Sequence, residues 1–96
     1  MSLDDRPVKT DRFMRRDLVD ELLLYDAAAS EVHVLNATMR EIYLRCDGQH
    51  SVAGLADALV EAFDVDLATA RADTLAVVGQ LIDLDILSLT GPRAVE

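Results

Sequence analysis

The stretch Glu31-Val32-His33-Val34-Leu35-Asn36-Ala37-Thr38-Met39-Arg40-Glu41-Ile42-Tyr43-Leu44-Arg45-Cys46 changes its hydrophobic period at Leu35. Up to that point side chains alternate. Val32 and Val34 share one face, with Glu31, His33 and Leu35 on the other, which is the period of a strand. Beyond it, Met39, Ile42, Tyr43 and Cys46 recur at i, i+3, i+4 and i+7, one face of a helix. Asn36 stands at the junction as an N-cap, since its side-chain oxygen accepts from the amides of a first helical turn. Gly48 supplies a left-handed stop.

Reading upstream, Asp17 to Tyr25 is a second extended run, joined to Glu31–Leu35 by Asp26-Ala27-Ala28-Ala29-Ser30. Two such runs with a short polar or small-residue link make a hairpin. The link has no Asn-Gly or Gly-Gly, so its loop is longer than two residues. Phe13 to Arg16 can add a third short strand. Downstream, Ser51 opens a second helix with Val52, Leu55, Ala56, Leu59 and Phe63 on one face. Asp64-Val65-Asp66 interrupts it, and Asp66 caps a third helix whose buried face holds Leu67, Ala70, Thr74, Leu75, Val78, Leu81 and Ile82. Gly79 inside that helix costs about 1 kcal/mol relative to Ala unless something packs closely there. Ile86 to Leu89 is a short apolar end, stopped by Gly91-Pro92.

The order is hairpin, helix, helix, long helix. None of these helices hides its apolar face alone, so they pack on each other and on one face of the sheet. The result is an α+β domain of winged-helix type, with the strands first. Residues 1–12 read as a mobile tail, 13–90 as the domain, and 91–96 as a C-terminal tail.

The chain has 96 residues, half of them hydrophobic. That is one domain, able to bury roughly 60–65% of its unfolded surface without staples. Eighteen acidic side chains against nine basic ones leave a net charge of −9. Such a chain repels phosphate backbones and anionic lipid surfaces, so neither nucleic acid nor membrane is an expected partner. Residues 1–16 hold five basic and three acidic side chains, while 47–90 hold eight acidic ones and only Arg71 as a base. A single cysteine, Cys46, excludes an internal disulfide and fits a reducing cytoplasm.

Catalytic signatures are missing. There is no glycine-rich phosphate loop and no Gly-x-Ser-x-Gly elbow. His33, His50 and Cys46 match no zinc spacing, and no cofactor is implied. Cys46 lies on an apolar helix face without a positioned base. Asp64, Asp66, Asp83 and Asp85 lack the glycine of a calcium loop and read as caps and a solvated face.

Two features point to binding. Glu31 to Leu35 is short, β-prone and free of proline, and an unpaired edge strand of this kind invites strand addition by an extended peptide. On the third helix, Ala72, Ala76 and Gly79 form a small-residue strip, rimmed by Asp73, Gln80 and Asp83. Either that strip packs on the chain's own sheet or it forms one wall of a groove.

From Val32 to Val52 the chain resembles the PqqD family. The shared features are the Leu35-Asn36 strand exit, a helix with Ile42 and Tyr43, then Cys46-Asp47-Gly48 and the Ser51-Val52 helix start. Leu59, Phe63, Asp73 and Leu81 also fall where that family's helices carry similar residues. The resemblance spans about residues 13–90. It implies a three-stranded antiparallel sheet followed by three helices. It also implies a non-catalytic recognition element that binds the leader of a ribosomally made precursor peptide and presents it to a modifying enzyme, often a radical S-adenosylmethionine protein. On this chain the peptide would add at Glu31, Val32, His33, Val34 and Leu35 and pack against the third helix at Ala72, Asp73, Ala76, Gly79, Gln80 and Asp83. The pathway implied is pyrroloquinoline quinone or a related peptide product. Tyr25 is followed here by Asp26-Ala27-Ala28 rather than the Pro-Glu-Gly of many pyrroloquinoline-quinone members, and no Trp occurs.

Two other classes remain at this level. One is a winged-helix nucleic-acid-binding regulator, although its recognition helix would carry Arg71 as the only base. The other is a subunit that self-associates as a homodimer through the same exposed strand.

Overall fold

The computed structural model describes residues 1–11 and 13–89. It contains β1 (Val8–Lys9), β2 (Met14–Asp17), β3 (Leu22–Asp26), β4 (Glu31–Leu35), α1 (Ala37–Leu44), α2 (Val52–Phe63), α3 (Leu67–Asp83) and β5 (Leu87–Ser88). β2, β3 and β4 form an antiparallel sheet in that order, and three helices follow. The α+β architecture expected from the period change is the one observed. The proposed C-terminal tail and the Gly91-Pro92 stop lie outside the described residues.

The extended run from Asp17 to Tyr25 is broken by a turn. The Leu18 N–H donates to the Glu21 carbonyl at 2.8 Å, and Val19 at its tip is 91% exposed. Apolar residues at this turn conceal it from a reading of period. The second link is the longer loop expected. Asp26 pairs with Glu31, Ser30 takes a left-handed φ of 55°, and the Asp26 Oδ1 accepts from the amides of Ala28 and Ala29 at 3.1 and 3.3 Å.

Register separates the two faces of the sheet. Asp17, Leu22 and Leu35 align in one row and Arg15, Leu24 and His33 in another. Leu22, Leu24 and Leu35 are buried against the helices. Met14, Tyr25 and Val32 align on the opposite face, as do Arg16, Leu23 and Val34.

Each helix begins at the cap residue its sequence suggests. Asn36, Ser51 and Asp66 accept, through their side chains, from the amides of Met39, Gly54 and Thr69. α2 ends on Asp64 in the left-handed conformation, its N–H bonded to the Val60 carbonyl, a geometry that a short polar side chain tolerates. The core gathers Ile42, Tyr43 and Cys46 with Leu55, Ala56 and Leu59 of α2, Ala70, Val78 and Leu81 of α3, and Ile86 and Leu87. Phe63 and Leu67 depart from the buried faces assigned to them, at 38% and 39% exposure. They are the last residue of α2 and the first of α3, at the corner where one helix ends and the next begins.

Residues 3–10, part of the segment that reads as a tail, are hydrogen-bonded to the domain. β1 pairs antiparallel with β5 through Val8–Ser88 and Lys9–Leu87. The carbonyls of Asp5 and Leu3 accept from Val52 and Ala53 at 2.9 and 3.0 Å. These are first-turn amides of α2, which no helix can satisfy internally. The Lys9 ammonium donates to the carbonyls of Leu44 and Cys46 and lies 5.3 Å from the Tyr43 ring centroid. Two-residue strands and main-chain caps leave no periodic trace, so composition alone assigns this segment to solvent.

Candidate functional site

Turn geometry determines which backbone groups of β4 are unpaired. The bond from Leu18 to Glu21 makes that couple a hydrogen-bonded pair of the β2–β3 ladder. Alternation then makes Arg16–Leu23 hydrogen-bonded as well. Leu23 thus directs its backbone groups toward β2, and its β4 partner, Val34, cannot bond to it. By the same alternation His33 bonds inward to Leu24, while Val32 and Val34 turn both N–H and C=O to the outer edge. Among the described residues nothing pairs with this edge, so four backbone groups on two valines line an open side of β4.

The two edges of the sheet differ in chemistry. β2 reads Met-Arg-Arg-Asp and is exposed throughout. Charged side chains of this kind guard an edge against unwanted pairing. β4 carries Glu31 at one end and then valine, histidine and valine. The unguarded edge is β4.

The side chains of β4 divide as the register requires. Val32 and Val34 are 56% and 55% exposed, and Glu31 is also exposed. His33 is half-buried on the helix-facing side, where its ring meets Phe13 edge to face at 5.7 Å between centroids. Its Nε2 lies 3.8 Å from the Glu31 carboxylate. Leu35 sits in the core at 1% exposure, with its backbone turned to Leu22. Of the five β4 residues singled out by sequence, Leu35 thus belongs to the packing of the domain.

The small-residue strip lies on the outer side of α3. Ala72, Asp73, Ala76, Gln80 and Asp83 are exposed and Gly79 is half-buried, while Ala70, Thr74, Val78 and Leu81 face inward. The strip is therefore not consumed by the chain's own sheet. A Cβ placed on Gly79 would stand 3.9 Å from the Met1 Cε, ordinary contact. Leu35 of β4 and Val78 and Leu81 of α3 belong to the same buried core. Among the described residues no hydrogen bond or ion pair joins the β4 set to the α3 set. The exposed side of α3 bears aspartates, the wrong charge for a helix that reads bases.

Nucleophilic chemistry finds no support at Cys46. Burial pushes its thiol from an ordinary 9.0 up to about 12, with Lys9 opposing the shift and Asp47 adding to it. The Sγ donates to the Ile42 carbonyl at 3.1 Å. A buried, protonated thiol of this kind is structural. Burial also raises the Tyr43 phenol. In the turn after α1 the Asp47 Oδ1 accepts from the Gln49 amide at 2.9 Å and lies 3.1 Å from the His50 Nδ1, contacts that hold its carboxyl below the usual range. Among the described residues no helix is long and apolar enough to cross a membrane.

Sequence reasoning missed the sheet face turned away from the helices, which carries Met14, Leu23 and Tyr25 beside Val32. Leu22-Leu23-Leu24-Tyr25 is apolar on both faces, so the surface becomes visible only through the β2–β3 register.

Two solved structures share this architecture. One is described as TbiB1 in complex with the TbiA(beta) leader peptide; it aligns over 84% of this chain and 94% of its own, with a TM-score of 0.74 and 18% identity. The other is a lasso peptide synthetase B1 complexed with the leader peptide, aligned over 86% of this chain and 98% of its own, with a TM-score of 0.75 and 23% identity. At these identities the likeness is one of fold. No curated protein matches the chain. Residues 21–87 match the family described as Coenzyme PQQ synthesis protein D. That span runs from the turn before β3 through β4 and all three helices to β5, and on it this chain belongs to the PqqD family.

Proposed function

We propose that this protein is a non-catalytic peptide-recognition module. It binds the leader of a ribosomally made precursor peptide and presents it to a modifying enzyme. The observation that carries this reading is the β4 edge, where Val32 and Val34 offer unpaired backbone donors and acceptors on a strand without guarding charges. An extended leader pairs with those groups, which set its register, and its alternate side chains select the sequence. Glu31 and His33 flank the pairing, and the exposed strip Ala72, Ala76 and Gly79 lets the peptide approach α3 closely. Asp73, Gln80 and Asp83 rim that approach and favour a leader with basic residues, with faster encounter at low salt. Family membership supports the reading, as do the leader peptides held by both structural neighbours. A radical S-adenosylmethionine enzyme in the pathway to pyrroloquinoline quinone or a related peptide product fits as the recipient, in the reducing cytoplasm where such precursors are made.

Fluorescence anisotropy of a labelled leader from the precursor encoded beside this chain tests the reading. Saturable binding at micromolar protein supports it. No binding at near-millimolar concentration by the folded protein overturns it.

A further inference from the structure

The sheet has a second surface that the leader reading leaves unused. Its face away from the helices carries Met14, Leu23, Tyr25, Val32 and Val34, with Met14 at 67% and Tyr25 at 41% exposure. The rows Met14–Tyr25–Val32 and Arg16–Leu23–Val34 make these residues contiguous across all three strands. An open depression of about 250 Å³ lies among Met14, Arg16, Leu23, Tyr25 and Val32. That is below the roughly 300–1,000 Å³ of small-molecule pockets and suits one inserted side chain. Contiguous apolar surface of this kind marks an interaction site, and Met, Tyr and Arg are the side chains enriched in interface cores.

Charge narrows the occupant. Arg40 takes Asp17 at 2.9 Å, Arg45 takes Glu41 at 2.7 Å, and Lys9 is spent on carbonyls. Arg16, which shares this face with Leu23 and Val34, makes no ion pair with any described residue and lines the depression, on a chain of net charge −9. Two copies meeting face to face would bring Arg16 toward its own copy and two like net charges together. Anionic lipid and nucleic acid are disfavoured by the same net charge. What complements the face is a folded protein with one protruding apolar side chain, edged by a carboxylate that reaches Arg16.

We infer that the outer sheet face is the docking surface for the modifying enzyme, separate from the leader edge, with Tyr25 and Arg16 as its anchors. The identity of the occupant rests on the leader-binding reading. A peptide paired along β4 runs beside Val32 and Val34, so an enzyme seated on this face meets the peptide it is to modify.

The test is calorimetric titration of the peptide-modifying enzyme encoded beside this chain into the wild-type protein, Tyr25→Glu and Arg16→Glu, with leader affinity measured in parallel. The inference expects enzyme affinity to fall by on the order of tenfold or more in both variants, as at interface anchors, and to weaken with salt. Leader affinity should stay within about twofold, because neither side chain lies on the β4 edge. Arg16→Glu, at an exposed site, keeps the test valid if Tyr25→Glu disturbs folding. Unchanged enzyme affinity in Arg16→Glu, or no binding of the enzyme to wild type, overturns the inference. So does sedimentation of the wild type as a dimer that Tyr25→Glu dissociates, which would assign the face to a second copy. Failure of leader binding with enzyme binding intact would overturn the leader reading and leave the docking face standing.

Discussion

Val34 stands opposite Leu23 across β3 and β4, at a position where Leu23 spends its backbone groups on β2. The N–H of Val34 therefore bonds to no described residue, and proline there removes a donor without breaking the internal ladder. Proline is tolerated at such an edge position. Val34→Pro is expected to change folding stability by no more than about 1 kcal/mol, the span of β-propensity effects. It should weaken leader binding by up to about tenfold, the upper end of one net hydrogen bond. Urea unfolding and anisotropy on the same sample check both halves. Proline at His33 should instead unfold the sheet, because its backbone pairs with Leu24.

Gly79 offers the opposite test on α3. Its nearest outside neighbour to an added Cβ is the flexible end of Met1, at 3.9 Å. Gly79→Ala should therefore stabilise the domain by about 0.5–1 kcal/mol through helix propensity. Bulk at exposed Ala76 should leave stability near that of the wild type while excluding a peptide from the strip. Ala76→Arg is expected to weaken leader binding by about tenfold, and a thermal melt beside the binding curve separates the two effects. Undiminished leader binding by Ala76→Arg would remove the strip from the site.

Residues 3–10 should behave as part of the folded domain. They supply two main-chain caps to α2, a short ladder to β5 and the Lys9 contacts with Tyr43 and two carbonyls. Thr10 adds an Oγ1 bond to the Asp85 carbonyl at 2.7 Å. At about 0.5–1.5 kcal/mol for each net bond, removing residues 1–10 is expected to destabilise the protein by on the order of 3 kcal/mol. Amide exchange gives an independent reading: Val52 and Ala53 should be protected in the full chain and exchange rapidly in the truncated one.

Cys46 makes stability fall at alkaline pH. Its folded thiol ionises near 12, against an ordinary value of 9.0. Between these values the unfolded chain loses a proton that the folded chain keeps, so rising pH favours unfolding. The urea midpoint should decline from pH 8 to 10.5 in the wild type more steeply than in Cys46→Ala. Thiol-specific labelling at pH 8 should be slow in native protein and complete in urea.

The most legible parts of this fold were those with a strong local cause. Leu35-Asn36 announced a strand passing into a capped helix, and Ser51 and Asp66 marked the next two starts. The Ala76 and Gly79 spacing showed a strip of small residues, but not whether it faced the sheet or solvent; the inward rotation of Thr74, Val78 and Leu81 decided that. Leu35 was placed in the right strand, yet its role in the core emerged only from register. Arg16 and Tyr25 could not be seen as neighbours, because the Leu18–Glu21 turn that brings β2 beside β3 lacks glycine, proline or asparagine. The β1–β5 ladder stayed hidden because its partners are separated by nearly the whole chain and each is two residues long.

The central claim is that a leader peptide adds to β4 and packs on α3. The most direct test is an amide-resolved NMR titration of isotope-labelled protein with that peptide. The account predicts that the Val32 and Val34 amides shift furthest and gain exchange protection, with accompanying shifts at Ala72, Ala76 and Gly79. Shifts confined to β2, or a saturating peptide that leaves the Val32 and Val34 amides unprotected, would contradict it.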